Sequence, residues 1–379
     1  MATPEIEASD SRARGPQQVK RAFVLLAALV LAGCSSVSYY AQSIQGHLSL
    51  MHAARPLDDW LSDPATPAEL RPRLELARRM RSFASSELAL PDNASYHRYA
   101  DLKRSAAVWS VAAAPADSLI LKTWCFPFVG CVGYRGYYDE AEARQLGDRL
   151  RQQDGLEVAV YGVPAYSTLG WLNWMGGDPL LSTFIRYPEG ELARMIFHEL
   201  AHQVVYVDDD TMFNESYATA VERLGVARWL VTQASETAQR DYAAFNDRRR
   251  AFRALTLQTR GELEKAFERR SASAEGADDS LALAMTAKNE AMLRFRDRYA
   301  QLKQEWEAAG TPFSGYDRWV EQANNASFGL QAIYDELVPG FEALFAQGGG
   351  DWPRFHAAVA ELAAQPKQER RRRLKELVR

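Results

Sequence analysis

Residues 198–202 read His-Glu-Leu-Ala-His, and residues 214–222 read Asn-Glu-Ser-Tyr-Ala-Thr-Ala-Val-Glu. On a helix, His198 and His202 are four apart and share a face, with Cβ atoms about 5–6 Å apart. Their imidazoles can therefore converge on one tetrahedral metal ion. Apolar Met195, Ile196, Phe197 and Leu200 surround them, which marks the helix as buried, and an unpaired His-Glu-His cluster in such a setting is costly without a metal. A catalytic zinc site needs three protein ligands, a water whose pKa the metal lowers to about 7, and a carboxylate to take that water's proton. Glu199, beside the first histidine, is placed for the last of these roles. The third ligand must come from elsewhere, so the chain has to bring a second element against this helix.

Glu215, thirteen positions after His202, is expected to be that ligand. The run Val-Val-Tyr-Val at 204–207 leads into Asp208, Asp209 and Asp210, which should end the first helix in a polar turn. A second helix is predicted from near Thr211, with Ala218, Val221 and Leu224 as its apolar stripe. Glu215 then falls in the first or second turn. Glu222, seven residues on, lies on the same side, placed to hold a ligating imidazole from behind, and Asn214 is expected to support the same site. Asp208, six residues past His202, is the rival third ligand, in the position metzincins use. That family needs a glycine midway for a sharp turn, where this chain has β-branched Val205.

Residues 214–225 resemble the third-ligand helix of gluzincin aminopeptidases, which carry Asn-Glu-Gly-Phe-Ala followed by a further glutamate. The connection from His202 is shorter than usual for them, with 12 residues between it and Glu215. More of the chain is similar to the bacterial family known as putative aminopeptidases. The blocks that carry this likeness are Thr-Trp-Cys-Phe-Pro at 123–127, Gly130-Cys131, Tyr-Arg-Gly-Tyr at 134–137, Ala-Tyr-Ser-Thr-Leu-Gly at 165–170, residues 196–203 and Asn324-Asn325-Ala326. They run from about residue 35 into the C-terminal region. The resemblance implies a Zn²⁺ cofactor, a peptide substrate, and Glu199 activating a zinc-bound water. It also implies an oxyanion donor from the chain after the zinc helices, for which Tyr334 is the candidate, with Tyr166 and Tyr137 behind it. A strand around residues 165–169 would bind extended peptide, giving substrate roles to Tyr166, Ser167 and Thr168; Asn324 and Asn325 are assigned to the same surface. The Gly-x-Met-Glu-Asn strand with which alanyl aminopeptidases capture the substrate amine is not found in the sequence, so an envelope endopeptidase is the rival. A lipoprotein with a structural zinc and a partner-binding hairpin is a third reading, against which Glu199 argues, because a structural site needs no base.

Lys20-Arg21 precede an eleven-residue apolar run at 22–32, which ends Leu31-Ala32-Gly33-Cys34. A transmembrane helix needs about 20 apolar residues, so residues 1–33 are predicted to be a signal peptide. Leu-Ala-Gly-Cys resembles the bacterial lipobox, in which the cysteine is acylated and becomes the new N-terminus; an uncleaved anchor is the alternative. The expected location is the cell envelope, lipid-anchored through Cys34 and facing the periplasm, with Ser35 pointing to the outer membrane. Cys125 and Cys131 are the remaining cysteines, and in an oxidising compartment a disulfide is the default. With 45 Lys and Arg against 49 Asp and Glu, the net charge of −4 suggests no nucleic-acid partner. Arg370 to Arg373 read as the solvated face of a helical tail. Oligomeric state is not set by any of these features.

The expected fold class is α+β, predominantly helical, with a gluzincin-like zinc-peptidase core, a small sheet and a long helical hairpin. Residues 34–120 are expected to form an N-terminal helical region, 121–226 the peptidase core, 227–310 the hairpin and 311–379 a C-terminal helical region. Segments 107–123 and 156–169 carry the residues of short strands. The hairpin segment is almost free of Pro and Gly and breaks near residues 271–279. His47, His52, His97 and His356 have no ligand-spaced neighbour and are read as structural.

Overall fold

The computed structural model describes residues 39–126, 130–165, 167–168, 170, 173–208, 210–272, 277–331 and 336–378. The segment expected to be a signal peptide, Cys34, Tyr166 and Tyr334 lie outside these. The chain divides into two units, residues 1–49 and 50–379. Residues 39–53 are helical (α1). There follow β1 (Ala54–Pro56), α2 (Leu57–Ser62), α3 (Arg71–Leu88), β2 (Arg98–Ala100), β3 (Val108–Ala114), β4 (Trp124–Phe126), β5 (Gly130–Val132), β6 (Arg135–Tyr137), α4 (Glu140–Gln153), β7 (Glu157–Val163) and β8 (Leu180–Leu181). Then come α5 (Glu189–Ala201), α6 (Thr211–Thr232), α7 (Glu236–Ala272), α8 (Ala277–Ala308), α9 (Asp317–Gln322), α10 (Asn325–Leu330), α11 (Val338–Gln347), α12 (Trp352–Ala363) and α13 (Lys367–Glu376). Among the described residues helix accounts for 63% and strand for 10%, so the fold is α+β and mostly helical. Among the described residues no helix is long and apolar enough to cross a membrane.

The described residues form three small sheets. In the one that matters for the site, β3 is central, with β6 and β7 antiparallel on either side. Strand β7 is therefore an edge. A second sheet orders β1, β2 and β8, the last two parallel, and β4 pairs with β5 as a separate hairpin closed by the Cys125–Cys131 disulfide. The region expected to be helical up to residue 120 contributes β1 and β2 as well as β3, which falls within the 107–123 segment expected to carry strand residues. Alanines 112–114 in β3 are fully buried.

Helix α6 continues to Thr232, so the long hairpin begins at Glu236 rather than Ala227. The C-terminal helices are not separate either. Phe341 and Phe355 pack against Phe213 and Tyr217 of α6, and one core extends from Leu50 through α3, α5 and α6 to Leu374. A second core joins α7 and α8 through Phe252, Leu263, Phe267 and Phe295, closed by Trp306 and Phe328.

Candidate metal centre

Helix α5 starts after Pro188 with Glu189 and Glu191 in its first turn, where carboxylates complement the helix dipole. Its buried face of Leu192, Ala193, Ile196, Phe197 and Leu200 fixes the rotation that sends His198 and His202 toward α6. The helix ends at Ala201 with His202 as its C-cap, earlier than the aspartate run suggests. Helix α6 begins at Thr211, the expected position, with the Asp210 carboxylate accepting from the Phe213 N–H. It is buried almost all round, from Phe213 to Glu222.

The packing of these two helices brings His198, His202 and Glu215 together, with their ligand atoms within 4.8 Å of one another. Asp208 is not in the group. The Nε2 atoms of His198 and His202 are 3.2 Å apart, and Glu215 oxygens lie 3.3 and 3.7 Å from them. Zinc bonds of about 2.0–2.1 Å at tetrahedral angles place ligand atoms roughly 3.3 Å apart, so the spacing fits. The chemistry fits as well. His198 Nδ1 faces the Glu222 carboxylate at 2.9 Å; when Nδ1 carries the proton, Nε2 presents a lone pair to the centre. Three acceptors then converge, and a cation satisfies them. Two nitrogens and a carboxylate suit zinc.

Burial and the carboxylates compete in setting the local electrostatics. Burial opposes charge on His198, but Glu215 and Glu222 overcome it and raise the imidazole to about 10. His202 goes the other way, to about 4, because burial outweighs the pull of Glu215. The Glu199 carboxyl is raised to about 7, chiefly by burial. Burial also works against Glu222, yet Arg194 and His198 bring it down to about 2.

Behind the ligands stands a chain of ion pairs. Arg194 donates to Glu222 at 3.1 Å and to Glu191 at 2.8 Å, and Glu191 also accepts from Arg249 of α7 at 3.2 Å. Asn214 exchanges two hydrogen bonds with the backbone of Val207, at 2.8 and 2.9 Å, clamping the α5–α6 connection one residue before Glu215. Asp210, almost wholly buried, is paired with Arg370 and Arg371. The basic run at 370–373 is therefore only partly a solvated face, because two of its arginines neutralise the start of α6.

A cleft of about 1400 Å³ opens over His198 and Glu199, with residues 158–162 of β7 on its wall and α7 along it. Of the expected peptide-binding strand at 165–169, the described residues Ala165, Ser167 and Thr168 are not in a strand, and Tyr166 and Leu169 lie outside the described residues. Strand β7 ends at Val163, because Pro164 has no N–H to continue a ladder, and Ser167 and Thr168 lie in irregular backbone. Their polar groups are given to Asp178, which accepts from Thr168 N at 3.0 Å and from Ser167 Oγ at 3.4 Å. Asn324 and Asn325 act as pins between α10 and the β3–β7 sheet: Asn324 Nδ2 donates to Val158 O, Asn325 N to Glu157 and Asn325 Nδ2 to Pro115 O. Asn324 also lines the cleft, while Asn325 is fully buried.

Tyr137 is held among Arg135, Arg149 and Glu142, whereas Tyr134 lies within electrostatic reach of Glu215 and Glu199. Two further residues near Glu199 went unread in the sequence. Arg194 could have been found, since Glu191, Arg194 and His198 follow an i, i+3, i+7 spacing on one helix face. Tyr96 could not: it is buried, adopts φ +66°, and its hydroxyl has no hydrogen-bond partner among the described residues, close to Glu199 and Asp178.

A family model described as "Putative aminopeptidase" matches residues 38–374. No curated protein and no solved structure matches the chain.

Proposed function

The chain belongs to the putative aminopeptidase family, and on that premise we propose that it is a zinc-dependent peptidase of the cell envelope, with His198, His202 and Glu215 as metal ligands and Glu199 as the proton carrier. The observation that carries this reading is the convergence of those three ligand atoms within 4.8 Å, beside a carboxyl that lines an open cleft. Zinc held there supplies a Lewis acid that polarises a peptide carbonyl and acidifies water.

Glu199 takes a proton from the attacking water and delivers it to the leaving amine. Glu222 holds His198 in orientation, and Arg194 holds Glu222. Along β7, the Val158 carbonyl points away from β3, accepting from Asn324 and Arg151, while the Val163 carbonyl points toward it. By alternation Val160 and Gly162 present their backbone groups on the outer edge, where an extended peptide can add as a further strand. The developing oxyanion needs a donor. Tyr134, whose hydroxyl burial keeps protonated, joins Tyr334 as a candidate. The envelope assignment rests on Leu31-Ala32-Gly33-Cys34, with Cys34 as the lipid-bearing residue, and the Cys125–Cys131 disulfide is in keeping with an oxidising compartment.

Glu199→Gln tests the mechanism: hydrolysis should fall by roughly 10²–10⁴ while elemental analysis finds zinc retained. Activity near wild type would show that another group carries the proton.

Endopeptidase action is the second reading, and one observation favours it. A bound α-amine needs a carboxylate, yet besides Glu199 the glutamates that line the cleft are engaged, Glu222 with His198 and Arg194 and Glu342 with Arg223 at 3.7 Å. Competition between a free-amine peptide and its N-acetylated twin separates the two, equal cleavage marking the endopeptidase.

A further inference from the structure

We propose that the cleft selects peptides rich in acidic side chains, an inference that rests on the peptidase reading and names its substrate class. Seven arginines and three glutamates line the cleft, with neither lysine nor aspartate among the lining residues. The whole chain has a net charge of −4, so the positive excess is local to this cleft. It also comes from separate elements: Arg144 from α4, Arg223 from α6, and Arg250 and Arg253 from α7. They line the same cleft as residues 158–162 of β7, on which an extended substrate would lie.

The arginines differ in how firmly they are held. Arg194 is half-buried and committed to Glu191 and Glu222. Arg144 and Arg250 have partners one turn away on their own helices, Glu140 and Asp247, each at 2.6 Å. Asp247 is 64% exposed and Glu140 41%, and such solvated pairs are weak and screened by salt. A carboxylate that enters a cleft with low-dielectric walls meets the same guanidinium groups in a focused field. It can take them over without leaving a buried charge unpaired. A basic peptide in the same place would be repelled.

The test uses two fluorescein-labelled peptides of equal length, one alternating Glu and Ala and the other Lys and Ala. Their binding to the full chain carrying Glu199→Gln is followed by anisotropy. The acidic peptide should bind about tenfold more tightly at low salt, and the advantage should shrink severalfold at about 0.5 M salt. Arg144→Gln combined with Arg250→Gln alters two exposed side chains, and thermal melting checks that the fold is kept. In that variant the advantage should fall by about threefold or more. Equal binding of the two peptides, or an advantage untouched by salt and by both substitutions, overturns the proposal. Hydrolysis by the wild-type chain, with a Gln-Ala peptide added, separates the two levels of inference. If no peptide is cut while the acidic one still binds preferentially, charge selection stands and the peptidase reading falls. If neutral and basic peptides are cut as fast as the acidic one, the peptidase reading stands and charge selection falls.

Discussion

The helix pairs α5–α6 and α7–α8 are built on opposite plans. Helix α6 buries Asn214, Ser216, Thr219 and Glu222 alongside Phe213 and Tyr217, so its polar groups must find partners inside the protein: Val207, Leu337, His198 and Arg194. The hairpin asks for much less. Phe252, Leu255 and Leu263 of α7 meet Ala291, Met292 and Phe295 of α8, and the outer faces carry solvated pairs such as Arg294–Glu290. Amphipathic periodicity is enough to form the second pair. The first stands only when a set of specific contacts is complete, and that is the kind of interior in which a metal-ligating cluster can be held still.

The contrast can be broken at the most committed polar group. Glu222→Ala leaves His198 Nδ1 and Arg194 without their carboxylate, and should cost about 3–5 kcal/mol of stability together with roughly 10–100-fold in metal affinity. Urea unfolding and a chelator-competition titration would read both, and an unchanged pair of values would show the network to be idle. Phe295→Ala removes a fully buried ring from the hairpin, at a cost of about 3–5 kcal/mol, but metal content by elemental analysis should be unaffected. Metal loss in this variant would mean that the two pairs are not independent.

Smaller effects sharpen the same comparison. Asn214→Ala deprives the Val207 N–H and C=O of their partners, with an expected cost of about 1–3 kcal/mol and faster hydrogen exchange across residues 203–208. At the surface of the hairpin, burial works against charge on Glu262, but Arg298 and Arg294 hold its carboxyl below the usual range. A lowered folded pKa means stability that is present above the unfolded value of about 4.3 and is lost as pH falls through the folded value. The effect should be at most about 1 kcal/mol. Glu262→Gln should remove that part of the acid sensitivity, and an identical pH profile in the variant would show that the pair contributes nothing.

The sequence by itself determined the elements whose signals are local. His198, Glu199 and His202 share a helix turn, a helix starts at Thr211 after the aspartate run, and the break read at 271–279 falls between α7, which ends at Ala272, and α8, which begins at Ala277, because turn signals and helical periodicity act over a few residues. The spacing of Glu215 and Glu222 placed both on one face of α6 for the same reason. Tertiary structure alone decided which strand forms the cleft wall: β7, within the 156–169 segment read as carrying strand residues, is chosen by its ladder with β3 and ended by Pro164. It also decided that Asn324 and Asn325 pin α10 to the sheet, that Arg371 reaches back to Asp210, and that Tyr134 rather than Tyr137 approaches Glu215. Each of these joins residues far apart in the chain through a single polar contact or a turn of the backbone. Such contacts leave no periodic trace in sequence, because their partners are selected by packing after the helices and strands have formed.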